Sequence, residues 1–199
     1  MSLPPFSQAC ENNKQAILSL LTEVFSSTRH VLEVGSGTGQ HAVFFAQHLP
    51  HLIWQTSDLT INHDGINAWI AEYPSPNLVS PLALDVTQKW PCGEVDGIFT
   101  ANTLHIMAWS IVALFFAGVA ENLQQGGRLV IYGPFKYQGC FTSDSNADFD
   151  CWLKAHDPAR GVRDIEAILA LAATAGLTLL SDTAMPANNQ LLVFEKTQS

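Results

Sequence analysis

The sequence predicts an α/β fold: a seven-stranded, mostly parallel sheet with helices on both faces and an antiparallel pair at its end. Three observations predict it. Short apolar runs alternate with segments of helical periodicity through the first two thirds of the chain, and such alternation implies crossover connections between parallel strands. The first run, Val31-Leu32-Glu33-Val34, breaks into glycines at alternate positions, Gly35, Gly37 and Gly39, ahead of an apolar segment, which reads as strand, tight turn and helix. Near the end, residues 177–181 and 191–195 read as strands with no helix between them, and that forces an antiparallel pair.

Residues 1–10 read as an irregular lead-in and 12–25 as a helix, with Ile17, Leu18, Leu21, Val24 and Phe25 at helical spacing. After the glycines, 41–49 is a helix and 52–57 a second strand ending at Asp58, with Pro50 between them. A helix over 61–73 leads to a third strand, 78–84, that ends at Asp85. The fourth strand is 95–100. Residues 109–123 carry Val112, Phe115, Phe116, Val119 and Leu123 on one stripe, a helix stopped by Gly126-Gly127, and 128–132 is the fifth strand. Residues 133–162 are long for a connection and rich in aromatics, which suggests a lid over a site, with a helix near 147–155. A helix over 163–175, stopped by Gly176, precedes the final pair.

Length and composition fit one domain over 1–199, its first 28 residues a helical segment. With 47% hydrophobic residues in 199, the chain can bury a sizeable core without disulfides or metals. Eighteen acids against nine bases give a net charge of −9, which disfavours a nucleic-acid partner. The four cysteines show no paired spacing, the first six residues do not resemble a signal peptide, and the longest apolar run is too short for a bilayer. A cytoplasmic protein without a membrane segment is the expectation. His41, His48 and His51 form no pattern with Cys or acids that would bind a metal.

The glycine stretch has the spacing acid-x-G-x-G-x-G, the pattern usual for S-adenosylmethionine, rather than the G-x-G-x-x-G of dinucleotide sites. Its glycines permit positive φ and let a ligand lie against the backbone, and the helix behind them points free amides at an anion.

With acids ending the second and third strands and a terminal hairpin, the chain resembles the Rossmann-like class I S-adenosylmethionine-dependent methyltransferase fold. More closely it resembles the methyltransferase-like domain-of-unknown-function 938 family, over almost its whole length. The resemblance is carried by Ser7, Ala9, Glu11, Asn13, Lys14, Ile17 and Leu18, by Gly35 through Ala42, by Ser57-Asp58 and by Leu84-Asp85-Val86. Further along it rests on Asn102, His105-Ile106, Trp109, Tyr132-Gly133-Pro134-Phe135, Ser145-Asn146, Phe149-Asp150, Gly161, Arg163-Asp164 and Met185 through Asn189. The chain departs from the pattern at Gln8, Asn12 and Ala16, where proline, arginine and proline are expected.

The resemblance implies a methyl transfer from S-adenosylmethionine, and it names no acceptor. Gly35, Ser36, Gly37 and Gly39 would hold the amino-acid end of the cofactor, and Glu33 would orient the turn or meet the ammonium, or else pair within the sheet. Asp58, nineteen residues after Gly39, is placed for the ribose hydroxyls, with Leu59 beside it. Asp85 and the Val86 amide are placed for the adenine edge, unless Asp85 caps a helix. Asn102 would hold cofactor or acceptor, or form a turn.

His105 is the candidate base for a hydroxyl or amine acceptor, against the alternative of a packed core histidine. The acceptor site is expected among Glu11, Asn13, Lys14, Trp109, Tyr132, Phe135, Asn188 and Asn189. The function expected is methylation of a small molecule on oxygen or nitrogen. Its rivals are a protein or nucleic-acid methyltransferase and a non-catalytic cofactor-binding regulator.

Overall fold

The computed structural model describes residues 4–197. Met1, Ser2 and Leu3, where the expected lead-in begins, lie outside the described residues. A helix α1 (Gln8–Val24) precedes β1 (His30–Val34), α2 (Gln40–His48), β2 (Ile53–Asp58), α3 (His63–Glu72), β3 (Leu78–Ala83), β4 (Val95–Ala101), α4 (Trp109–Asn122) and β5 (Leu123–Gly133). Three short strands and a helix follow: β6 (Phe135–Tyr137), β7 (Cys140–Phe141), α5 (Asp144–His156) and β8 (Arg163–Asp164). The chain ends with α6 (Ile165–Thr174), β9 (Leu177–Met185) and β10 (Asn189–Lys196).

The main sheet has seven strands in the order β3-β2-β1-β4-β5-β10-β9. The first five are parallel, and β10 runs antiparallel to both β5 and β9. Burial on both faces explains the near-continuous apolar runs. Along β5, Leu129 and Ile131 face a core built with α4 and α6, while Val130 and Tyr132 face a second core built with α1 and α2. On β10, Leu192 and Phe194 join the first core and Leu191 and Val193 the second. None of the described helices is long and apolar enough to cross a membrane.

Several boundaries differ from the sequence expectation, each for a local reason. The first helix starts at Gln8, because Ser7 Oγ accepts from the Cys10 amide as an N-cap. The pair Gly126-Gly127 does not stop α4. Leu123 turns directly into an extended conformation, and Gly126, at φ +74, lies in a β5 that starts five residues before the expected Arg128. The carbonyls left free at the end of α4 are met instead by Lys196 of β10, whose Nζ donates to Ala120 and Leu123, each at 2.5 Å. Ser143 caps α5 by accepting from Asn146, so this helix begins at Asp144. Arg163 and Asp164, expected to open a helix, form β8 beside β6, and β7-β6-β8 make a small second sheet within the expected lid.

Candidate functional site

The site is built on the carboxyl edge of the parallel strands, where β1 gives way to the glycine turn. Gly35, Gly37 and Gly39 all have positive φ. A Cβ on Gly35 would stand 2.7 Å from Thr103 Cγ2, and one on Gly39 would stand 3.0 Å from the Ile66 backbone. Gly37 differs: nothing lies within 4 Å of its Cβ position, because it faces open space.

Glu33 braces this turn from below. Its Oε2 accepts from Ser36 Oγ at 2.9 Å and from Trp54 Nε1 at 3.1 Å, and its own carbonyl takes the Ser57 hydroxyl. Burial away from water pushes its carboxyl up to about 7, against the pull of the Trp54 and Ser36 hydrogen bonds. Asp58, at the end of β2, accepts from the Gly37 amide at 2.7 Å, from the Leu59 amide at 2.7 Å and from Asn62 at 2.8 Å. A carboxylate with three donors keeps room for about one more.

A cavity of about 620 Å³ opens beside the turn, within the usual range for a small-molecule site. Gly35 through Thr38 line one side. Cys10, Asn13, His41, Asn102, His105, Tyr132, Phe149 and Asn189 contribute to the rest. The walls come from six separate parts of the chain: α1, the glycine turn and α2, the β4 end, the β5 end, the lid with α5, and the β9–β10 turn.

α1 is fastened to the glycine turn by one side chain. Gln40 Oε1 accepts from the Ser7 amide, and its Nε2 donates to the Ser7 carbonyl and to Glu11 Oε1. Asn13 Oδ1 lies 2.6 Å from His41 Nε2, and the His41 ring stacks on Phe45 at 5.2 Å. Burial, first, lowers His41 to about 4. Tyr132 stands on β5 with Asn13 and Asn189 at its hydroxyl, and burial raises its pKa.

At the end of β4, Thr100 Oγ1 donates to the Val34 carbonyl, tying this strand to β1. Asn102 follows in the left-handed region at φ 58, its amide donating to the Tyr132 carbonyl. An asparagine tolerates this conformation better than most residues, at some cost. A Cβ on Gly133 would lie 3.7 Å from His105 Nδ1 and 3.9 Å from Asn102 Oδ1, so the glycine leaves these two polar atoms a shared space.

His105 is held by its backbone: its carbonyl accepts from Gly161, and the flanking Leu104 and Met107 carbonyls accept from the Arg163 guanidinium. Its ring lies edge-on to Phe149 at 5.2 Å. Burial and then the Arg163 charge lower it to about 4, so it is the neutral, proton-accepting form at neutral pH.

The structure therefore gathers Gly35, Ser36, Gly37, Asn13, Asn102, His105, Tyr132 and Asn189 around one cavity and places the other candidates differently. Gly39 packs on α3. Leu59 is half-exposed beside Asp58 and is not among the residues lining the cavity. Asp85 is exposed and accepts from the Thr87 amide and hydroxyl, which lower its pKa; this contact closes a turn between β3 and β4, and no helix follows for Asp85 to cap. Val86 is partly buried against the α4 core.

Glu11 and Lys14 pair with each other at 2.6 Å outside the cavity lining. Phe135 is in the core, and Trp109 lies under the Arg163 guanidinium at 5.9 Å. Asn188 closes the rim instead of lining it: its carbonyl accepts from Asn146 and its side chain donates to Ser145. Sequence reasoning gave no role to His41, Phe149, Gln40 or Arg163. The last three act through contacts with residues 29 to 59 positions away, which no local pattern displays.

The fold is that of known methyltransferase structures. An O-methyltransferase family protein from Burkholderia thailandensis superposes with a TM-score of 0.82 at 18% identity, covering 94% of this chain and 57% of that one. An O-methyltransferase family 2 protein from Planctomyces limnophilus, in complex with apigenin, gives 0.80 at 21% identity, covering 95% and 58%. The O-methyltransferase NcsB1 from neocarzinostatin biosynthesis, in complex with S-adenosylmethionine and 2-hydroxy-5-methyl naphthoic acid, gives 0.78 at 16%, covering 94% and 54%. This chain thus spans little more than half the length of those structures, and at such identities the likeness is one of fold. Residues 4–196 match the family model described as "Protein of unknown function (DUF938)", and the protein belongs to that family.

Proposed function

We propose that the protein is an S-adenosylmethionine-dependent methyltransferase acting on a small molecule, with donor and acceptor meeting in the cavity beside the glycine turn. The single observation that carries this reading is the cavity itself: a cofactor-type turn forms one wall and a neutral histidine stands across from it. The chain fits the donor at three points. Gly37 leaves its Cβ position empty, α2 starts at Gly39 with no capping side chain of its own and only a long 3.4 Å contact from the Gln40 amide to Thr38 Oγ1, and Asp58 ends β2 with acceptor capacity left.

When bound, S-adenosylmethionine supplies an electrophilic methyl group on a sulfonium. The residues of the chain then have distinct tasks. The amides at the start of α2 hold a carboxylate, and Asp58 accepts a ribose hydroxyl. Engaging both hydroxyls requires Gly37 or Asn62 to release the carboxylate. Asn102 and Tyr132 orient the acceptor, and His105 accepts its proton. The lid carrying α5, tied to the β9–β10 turn through Asn146 and Asn188, keeps water from the reacting atoms. A single domain with a lid over 133–162, in a reducing cytoplasm that suits the four free cysteines, is part of the same reading.

Titration calorimetry tests the donor: micromolar binding of S-adenosylmethionine or S-adenosylhomocysteine and none of NAD or NADP is expected, and the reverse pattern would overturn it. Incubation with radiolabelled donor tests turnover. Label is expected in metabolites, whereas label only in protein or RNA would establish one rival and donor binding without label the other.

A further inference from the structure

Arg163 has no task in the transfer as proposed, yet it is a partly buried charge without a counter-ion. Among the described residues no carboxylate forms an ion pair with its guanidinium. Its Nε donates to the Leu104 carbonyl at 3.0 Å, and one Nη donates to the carbonyls of Met107 and of Ala159. Between Leu104 and Met107, the His105 carbonyl accepts from the Gly161 amide at 3.0 Å. Three of the carbonyls in the turn 104–107 are therefore met from residues 161–163. Charge-assisted hydrogen bonds are stronger than neutral ones, which offsets the desolvation of the guanidinium.

The other side of this turn is wedged against the donor end. Thr103 Cγ2 would stand 2.7 Å from a Cβ on Gly35, and Thr103 Oγ1 lies 2.6 Å from the Thr100 hydroxyl that donates to the Val34 carbonyl. Residues 161–163 are tied to the lid as well. The Val162 amide donates to Asp150 Oδ1 at 2.7 Å, and a Cβ on Gly161, at φ +151, would stand 2.8 Å from that oxygen. Phe149, next to Asp150 on α5, meets the His105 ring edge-on. The histidine is thus held by its main chain from one side and by the lid from the other.

Resting on the methyltransferase reading, we propose that Arg163 is a positioning residue for the transfer: its fork fixes the turn 104–107 and so sets where the His105 ring stands between donor and acceptor. A lysine is a point charge on a flexible stem and cannot hold two carbonyls three residues apart in one rigid geometry. The guanidinium also acts on the ring itself, since after burial its charge is what lowers the His105 pKa. The other charges on the elements around the ring are paired, Asp150 with Lys154 on α5 and Glu11 with Lys14 on α1. Burial keeps Tyr132 on β5 and His41 on α2 uncharged at neutral pH. A neutral residue at 163 should therefore move His105 upward, whereas a lysine should not.

The test compares Arg163→Lys and Arg163→Met in the full chain. Radiolabelled S-adenosylmethionine with a metabolite extract reads transfer, and calorimetry with S-adenosylhomocysteine reads donor affinity. The His105 ring resonance, identified by its loss in His105→Ala, reads the histidine. Both variants should transfer label about 10²-fold more slowly, as for a small misplacement of a reacting group, with donor affinity near wild type. The titration midpoint of His105 should rise in Arg163→Met and stay in place in Arg163→Lys. Amide exchange should quicken at Ile106, Met107 and Gly161 and stay unchanged in β1 and β4. Transfer by Arg163→Lys at the wild-type rate would overturn the inference, because charge alone would then suffice. Exchange quickened throughout the chain would overturn it too, as the mark of general destabilisation. If Arg163→Met does not fold, Arg163→Lys decides by the same readouts, and if neither folds the residue belongs to the scaffold and the inference fails. Undiminished transfer in His105→Ala would overturn the positioning role while leaving methyl transfer standing, and no label from the wild-type protein would overturn both.

Discussion

At the glycine-turn end of the cavity nearly every polar group has a partner within the protein, whereas at the Asn102–His105 end the functional groups are held by their backbones and left open. Glu33, Ser36, Ser57 and Asp58 form a connected set with the turn amides. His105, by contrast, is fixed through its carbonyl and its neighbours' carbonyls, and its ring is packed only edge-on to Phe149. On the proposed reading, the donor meets a surface that is largely prebuilt. The proposed acceptor would need side chains with unspent hydrogen-bonding capacity, and anchoring the main chain leaves His105 with it.

Replacing His105 should give the largest effect and the cleanest break between the two ends. His105→Ala removes a proton acceptor without removing a hydrogen bond of the fold, so transfer should fall by roughly 10²–10⁴-fold. Donor affinity and thermal midpoint should stay near wild type. If the variant unfolds, or labels the acceptor at the wild-type rate, the histidine belongs to the scaffold.

Asp58→Ala attacks the other end. It should weaken the donor by about 1–3 kcal/mol, as expected for losing hydrogen bonds to a charged group, and should also loosen the turn through the orphaned Gly37 amide. Calorimetry would read the first and hydrogen exchange at Gly37 the second; unchanged donor affinity would remove Asp58 from the site.

The smallest effect sharpens the comparison through pH. Glu33 is raised from 4.5 to about 7, so the folded state binds more protons than the unfolded state in that window and stability falls as pH rises through it. His41 and His105 are lowered from 6.5 to about 4, so in that window the unfolded state binds more, and stability rises with pH. Below about pH 6.5 the two histidines outweigh the single acid. Glu33→Gln should therefore steepen the gain in stability between pH 4.5 and 6.5, measured by denaturant unfolding, and a flatter profile would contradict the assignment.

The glycine-turn end was legible in the sequence because its parts are contiguous: an acid, three glycines and a helix within ten residues, with Asp58 closing the next strand. The acceptor end was legible only in outline. The aromatic loop announced a lid, but Phe149 inside it could not be told from Phe135, since aromatic character does not say which face of the sheet a residue meets. Phe135 packs against the α4 core, while Tyr132, three residues earlier, turns to the α1 side. Trp109 is held by Arg163, and Glu11 and Lys14 by each other. Those pairings arise when distant segments meet, so spacing carries no trace of them. The early start of α1 is similar, since Ser7 reads as a cap only once Gln40 is seen to hold its main chain.

The position of β10 between β5 and β9 has a consequence during synthesis. The edge of β5 that carries Leu129 through Tyr132 is complete only when residues 190–195 have emerged to pair with it. At about 5–20 residues per second, the 63 positions from Gly133 to Lys196 take roughly 3–13 s to translate. For that interval the nascent chain presents an apolar strand edge, the kind of surface on which unfinished chains associate. Ribosome stalling or premature termination anywhere before residue 190 would make that exposure permanent, so chaperone demand for this protein should peak late in its translation.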